Sequence, residues 1–288
     1  MSLLDRLRAC HRRDMTLYRP FVADAAAIGW IHRSLADRLR KYPAVFGLTE
    51  AAVQLIPAGY GARTKAMADV VAALHEEGLI TGWRDEAFPV ASSFHAPPLF
   101  EIERAAVKAF GIRYYCVQLN GLVGSGEAQR MWIARRARSK PIGPGKLDQI
   151  VGGGVPLGLS LADALVKECA EEAGMAGGLA RKACPVGATT ILAEEDSGLW
   201  YETLFNYDLD LPEDFEPQNA DGEVESFQLL PVAEVRRILE TSDEFLFDGV
   251  PVIVDCLMRH GHLSPDDPDY VTIAELLAPS PAITGDAA

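Results

Sequence analysis

Apolar positions recur along this chain with two periods, and the change from one to the other divides it. In TKAMADVVAALHEEGLI, Met67, Val70, Val71 and Leu74 fall on one stripe at helical spacing. Thr64 offers a cap before that stripe and Gly78 a stop after it. Residues 2–13 read as a shorter amphipathic helix, and SLADRLRKYP as another that Pro43 ends. PFVADAAAIGWI between them is strand-like. LTEAAVQLIP supplies a further element, TGWRDEAFPVAS a turn and a strand, and FEIERAAVKAFG a helix ending at Gly111. Beyond Gly111 strands dominate. RYYCVQLNGLV and QRMWIARRARS are rich in β-branched and aromatic residues, with the glycine-containing turn LVGSGEAQ between them. GATTILAEED and LWYETLFNYDLDLP form a second pair about a Ser-Gly turn. SFQLLP is a last strand, and VAEVRRILET and GVPVIVDCLMRHG are helices. The pattern predicts an α+β protein. A smaller α+β accessory domain spans residues 1–110, a larger domain 111–265, and an acidic, proline-bearing tail 266–288.

Composition narrows the class. A chain of 288 residues, 49% hydrophobic and 24% charged, is that of an ordinary globular protein with room for two modest cores. A formal net charge of −14 argues against nucleic acid or an anionic membrane as the main partner. No apolar run approaches the length of a bilayer span. The five cysteines lack CxxC or Cys/His spacing, so neither a disulfide framework nor a zinc site is expected. Scattered thiols and an N-terminus, MSLLDRLRACHRRD, without a signal-peptide apolar core point to a reducing cytosol. His32, His75 and His95 are dispersed and read as structural or solvated.

Against this background one stretch stands out, Gly152 to Met175, GGGVPLGLSLADALVKECAEEAGM. A glycine run opens it. Ser160 is a good N-cap with Asp163 in the first turn. Glu168, Glu171 and Glu172 then stand at i, i+3 and i+4, so they share one helix face, with Leu161, Ala164, Leu165 and Cys169 on the buried side. They also lie near the negative end of the helix dipole, where carboxylates are disfavoured. Charge concentrated there calls for a cation, and Mg²⁺ or Mn²⁺ suits oxygen ligands best. Glycine removes the Cβ that would keep phosphates and metal from the backbone. These residue types are those of a metal-assisted diphosphate hydrolase.

The stretch resembles the Nudix box. Gly153 takes its first place, and Lys167, Glu168, Cys169, Glu171, Glu172, Gly174 and Met175 its last ones. Leu159 stands where the pattern has Glu, and Lys167 where it has Arg; Lys167 keeps the charge but loses the bidentate fork. The resemblance implies a Nudix α/β/α sandwich with a mixed sheet. It implies Glu168, Glu171 and Glu172 as metal ligands, with the Gly152 carbonyl as a further one. It also implies a general base from this helix or from a later loop, where Glu223 and Glu225 stand in NADGEVESF. ERAAVKAFGIRYYCVQLNGLV, MWIARRARSKPIGPGKLDQIVGGG, YDLDLPEDFEPQNADGEVESF and VIVDCLMRHGHLSPDDPDYVTI resemble one subfamily along almost the whole chain. That group carries an extra N-terminal domain and is related to the Nudix part of fungal thiamine pyrophosphokinase fusions. It implies hydrolysis of thiamine diphosphate, or an oxidised analogue, to the monophosphate and phosphate. The alternative is a pyrophosphatase of ADP-ribose or another nucleoside diphosphate. A prenyl diphosphate isomerase would need a cysteine facing substrate, and Cys169 falls on the apolar side.

A small-molecule diphosphate in a chain this acidic needs local cations. Arg136 and Arg138 share a strand face before the box, and Lys146 flanks the glycine-proline loop. These three, the Gly153 backbone and Asn120, a polar group in an apolar strand able to read a pyrimidine edge, are the expected substrate contacts.

Overall fold

The computed structural model describes residues 2–156 and 158–278. Its elements, in order, begin with helix α1 (Leu3–Ala9), strands β1 (Tyr18–Ala23) and β2 (Ala26–His32), and helix α2 (Arg33–Leu39). Strands β3 (Phe46–Leu48) and β4 (Val53–Leu55), helix α3 (Tyr60–Glu76), and strands β5 (Ala87–Val90) and β6 (Phe100–Glu103) follow. Then come β7 (Tyr114–Val123), β8 (Arg130–Arg136), β9 (Leu147–Gln149), β10 (Val151–Gly154), α4 (Leu161–Ala173) and α5 (Gly177–Ala180). Strands β11 (Cys184–Glu195), β12 (Gly198–Asp210) and β13 (Val224–Pro231), with helices α6 (Val232–Thr241), α7 (Gly249–Arg259) and α8 (Tyr270–Leu277), complete the chain. The described residues are thus mixed α and β, in two compact units.

One unit holds residues 12–114 and 192–202. Its four-stranded sheet has the order β2-β1-β4-β3. The stretch expected as one strand, PFVADAAAIGWI, is a hairpin, because Asp24 and Ala25 both take positive φ (48° and 65°) and reverse it. Helix α3 buries Met67, Val70, Val71 and Leu74, as its stripe predicts. It starts four residues earlier than expected, at Tyr60. Thr64 is therefore inside the helix, and its hydroxyl accepts the Glu101 amide at 3.1 Å. Only residues 104–106 of FEIERAAVKAFG are helical, as a single 3₁₀ turn. Phe100 and Ile102 alternate with Glu101 and Glu103, and that period of two pairs the segment with β5 as β6.

The other unit holds residues 1–11, 115–191 and 203–288. The sheet running through it has the order β11-β12-β7-β8-β13, with β10 beside β7 and β9 beside β8. β7, β8 and β13 run antiparallel. β12 meets β7 at a nearly constant sequence offset (88 residues for Asn120–Asp208, close to that for the Leu211 amide on the Leu122 carbonyl), which is the signature of parallel pairing. The sheet is therefore mixed, and it has apolar residues on both faces. Val117, Leu119 and Val123 pack with Leu165, Cys169 and Ala173 of α4. Leu122, Met131 and Ile133 pack with residues of α1, α6, α7 and α8. Two segments depart from a simple division at residue 110. Residues 3–9 join this unit through Leu3, Leu4 and Leu7, and the expected tail contains α8, whose Ile273 is buried in the same cluster. Residues 279–288 of that tail lie outside the described residues.

Candidate metal and diphosphate site

Helix α4 is closed at both ends by the residues the sequence supplies. Ser160 accepts the Asp163 amide at 3.1 Å and donates its hydroxyl to the Asp163 carboxylate at 2.8 Å. At the other end Gly174 takes φ 60°, and the Met175 amide returns to the Cys169 carbonyl at 2.9 Å. The carbonyls of Glu171 and Ala173, left over at the helix end, accept the amides of Ala220 and Gln218 at 3.1 and 2.9 Å. The acidic loop after β12 is thereby fastened to the end of α4, and Glu223 arrives beside the helix glutamates.

Strand β10 lays its glycines alongside β7, Gly152 opposite Gln118 and Gly153 opposite Val117. The Gly153 face is occupied by Glu168. A Cβ on Gly153 would stand 2.6 Å from Glu168 Cγ, and one on Gly152 would stand 2.9 Å from Gln118 Cδ. The glycines therefore let a carboxylate and an amide lie directly against strand backbone. The Gly152 amide donates to Glu172 Oε2 at 2.9 Å.

The three glutamates occupy different environments. Glu172 is only 6% exposed, on the buried side of the helix that the sequence pattern assigned to Cys169 and the leucines. Among the described residues no Lys or Arg side chain forms an ion pair with it. Burial, aided by the charges of Asp148 and Glu168, pushes its carboxyl up to about 8 against the opposing Gly152 amide and Lys140. Glu168 is largely covered, and burial also lifts its carboxyl above the ordinary range, with Glu171 and Glu223 adding to the lift. Glu171 is half-exposed. The Lys167 ammonium spans the pair, 2.5 Å from Glu171 and 3.2 Å from Glu168. A compact ammonium reaches both carboxylates where a guanidinium fork would favour one. A buried carboxylate with no cation is costly. With neighbouring donors that are all oxygen, the group fits a hard divalent ion. Glu168, Glu171 and Glu172, with the Gly152 carbonyl, are the atoms that would hold it.

The other expected residues divide. Glu223 is ion-paired with Lys140, its amide donates to Asp221 at 2.8 Å, and its charge is felt at Glu168. Glu225, the second residue of β13, faces Arg138, 3.6 Å away, at the exposed edge. Arg136 is tied to Asp148 at 3.0 Å and to the Ile142 carbonyl at 3.1 Å. Lys146 does not join the cluster; its ammonium binds the Asp243 backbone carbonyl and carboxylate. Nor does Asn120. Alternation along β7 sends it to the sheet face away from α4, where it is fully buried and donates to Asp208 at 3.0 Å. Cys169 is fully buried, and its thiol is pushed up to about 12 by burial, so it cannot serve as an isomerase cysteine. Asp148 escapes the sequence reading. It is buried between Arg136 and Glu172, and burial raises its carboxyl against the pull of Arg136. The one signal was an aspartate inside the apolar run LDQIV.

Residues 121–248 match the NUDIX domain, and residues 2–114 match a domain of unknown function (DUF4743). The chain is 38% identical to Nudix hydrolase 20, chloroplastic, of Arabidopsis thaliana, over 96% of its own length and 77% of that protein's. It belongs to the Nudix hydrolase family. Nudix hydrolase 24, chloroplastic, of the same plant is 37% identical over 94% of this chain and 76% of the relative. Among solved structures, the NUDIX domain of Shewanella oneidensis NrtR complexed with ADP ribose overlaps 53% of this chain and 91% of its own, at 15% identity and a TM-score of 0.41. Nudix enzymes generally use divalent metals, in keeping with the oxygen-only cluster on α4. The expectation of a cytosolic protein is overturned, since both plant relatives are chloroplastic. Five free cysteines require only a reducing compartment, and the cytosol is not the sole one. Among the described residues no helix is long and apolar enough to cross a membrane.

Proposed function

We propose that this Nudix hydrolase cleaves the diphosphate of thiamine diphosphate, or of an oxidised analogue, to the monophosphate and phosphate. The observation that carries the hydrolytic part is the carboxylate cluster on α4, with Glu172 buried against the Gly152 amide and lacking a cation. The substrate part rests on the long segments outside the box that resemble the thiamine-related subfamily. A divalent ion, when bound, neutralises phosphate oxygens and lowers the pKa of its water.

The chain's own groups have distinct tasks. Glu168, Glu171 and Glu172 hold the ion, and Lys167 keeps the first two carboxylates together in its absence. Glu223 is the general base. It is half-exposed, Lys140 tethers it near Glu168, and from there it can accept a proton from the attacking water. Arg136, fixed by Asp148, and the exposed Arg138 supply positive charge for the phosphates. Phosphate release with Mg²⁺ across thiamine diphosphate, oxothiamine diphosphate, ADP-ribose and NADH tests the reading. Turnover should concentrate on the thiamine compounds. Activity confined to ADP-ribose refutes the substrate, and activity unaffected by Glu171→Gln refutes the site.

A further inference from the structure

A second group of metal-ligating side chains stands apart from α4. Asp208 near the end of β12, with Cys256 and His260 at the end of α7, bring one ligand atom each to within 4.8 Å of one another. Cys256 and His260 are four residues apart, so one helical turn puts them on the same face. Asp208 comes from β12 and is reached by the side chains of Arg259 and His260. Asp208 and His260 border a cavity of about 570 Å³ that Lys182, Cys184, Asp210 and Arg259 also line, and Cys256 is buried beside them. A solvated ion therefore has a way in.

The surroundings are already arranged around Asp208. Asn120 donates to it at 3.0 Å, Arg259 at 2.5 and 3.2 Å, and His260 Nε2 lies 2.8 Å from Oδ2. Arg259 also donates to the Cys256 thiol and has a second carboxylate in Asp255, at 2.8 Å. An incoming ion displaces it from Asp208 and the thiol, and Asp255 remains as its counter-charge. The charges then close: a dication against the Asp208 carboxylate and the Cys256 thiolate, and Arg259 against Asp255. Asn120 Oδ1, fully buried and unpartnered, adds a polar atom next to the group that no protein donor satisfies.

We propose that Asp208, Cys256 and His260 form a zinc-class dication site with its fourth position open to the cavity. A sulfur, nitrogen and oxygen donor set selects Zn²⁺ over Mg²⁺, which the oxygen cluster on α4 suits. Zinc bonds of about 2.0–2.3 Å place tetrahedral donors roughly 3.3–3.8 Å apart. His260 and Asp208 must part slightly to admit the ion, while the thiol is drawn in. On binding, the thiol proton leaves to solvent as the sulfur–metal bond forms. Three protein ligands and one open position make a site that exchanges ligands, unlike a closed structural zinc site.

The test uses the full chain, stripped of metal and titrated with Co²⁺ without substrate. One equivalent should give the near-ultraviolet absorption of a thiolate–cobalt bond, and Zn²⁺ should displace it. Carboxylates give no such absorption, so Glu171→Gln should retain it. Cys256→Ser should abolish it. Losing even a supporting residue of a metal site costs about 10–100-fold in affinity. His260→Gln, at a partly exposed position outside the core, should cost at least that without disturbing the fold. Cys184→Ser should leave the signal intact, although Cys184 faces the same cavity. A wild-type chain without the absorption, a signal that survives Cys256→Ser, or one lost with Cys184→Ser overturns the assignment.

Discussion

Helices α3 and α4 use the same rule of spacing for opposite ends. On α3 the buried stripe is apolar except for Arg63, which is ion-paired with Asp24 and donates to the Pro57 carbonyl at 2.9 Å, while at the surface Lys65 pairs with Asp69 one turn on, at 2.7 Å. On α4 the buried stripe takes in Glu172 as well as Leu165 and Cys169, and Glu168 is pressed onto Gly153. The first helix is optimised for its fold. The second buries a carboxyl group that has no ion-pair partner among the described residues and whose ionisation costs stability, and the surrounding core of Val117, Leu119, Leu165 and Ala173 offsets that cost. The difference is that the charge buried on α3 has a counter-charge in Asp24, while Glu172 on α4 has no ion-pair partner among the described residues.

The contrast can be broken at either helix. Glu171→Gln should lower kcat by about 10³-fold, equivalent to about 4 kcal/mol of barrier, with unchanged circular dichroism. Leu74→Ala on α3 should do the reverse, costing about 2–5 kcal/mol of stability by opening a cavity at a 1%-exposed site. Urea unfolding measures it, and a loss under 1 kcal/mol would mean that α3 is not a core helix. Gly153→Ala should cost about 1–3 kcal/mol and weaken Mg²⁺ binding, because the new methyl displaces Glu168. A calorimetric Mg²⁺ affinity equal to wild type would show that Glu168 is not held there by the glycine.

Glu172 supplies a pH signature. Its carboxyl rises from an ordinary 4.5 to about 8 in the fold, so the protonated form is the one folding favours. Its contribution to the metal-free protein is full below pH 4.5 and is lost as pH rises through about 8. Metal needs the carboxylate, so binding should release a proton below that range and tighten as pH rises towards it. Glu172→Gln should flatten the stability profile; a slope unchanged in that variant would assign the titration to another group. At the small end, Lys65→Ala should change stability by no more than about 0.5 kcal/mol, readable as an unmoved denaturation midpoint.

Much of this was legible in the sequence because it is local. The α3 stripe, the Ser160 cap, the Gly174 stop and the i, i+3, i+4 glutamates all depend on neighbours within a turn or two. The failures also have local causes. Phe100 and Ile102 alternate within a segment otherwise rich in helix formers, and the alternation wins because β5 is there to pair with it. Ala25 gives no sign of the left-handed turn it adopts. Lys146 and Asn120 carry suitable chemistry but face elsewhere, a matter of strand register that composition does not reveal.

By itself, then, the amino-acid order determined the α4 helix, its caps, its three carboxylates and the mixed α and β character, since each follows from short-range periodicity and backbone preference. Only the tertiary structure decided which carboxylate is buried, why glycine stands at 152 and 153, and that the loop at Gln218–Glu223 is tied to the end of α4. It alone brought Asp148 beside Glu172, and Asp208 beside Cys256 and His260. Desolvation and ion binding depend on what arrives from distant parts of the chain, and no spacing within one segment encodes that.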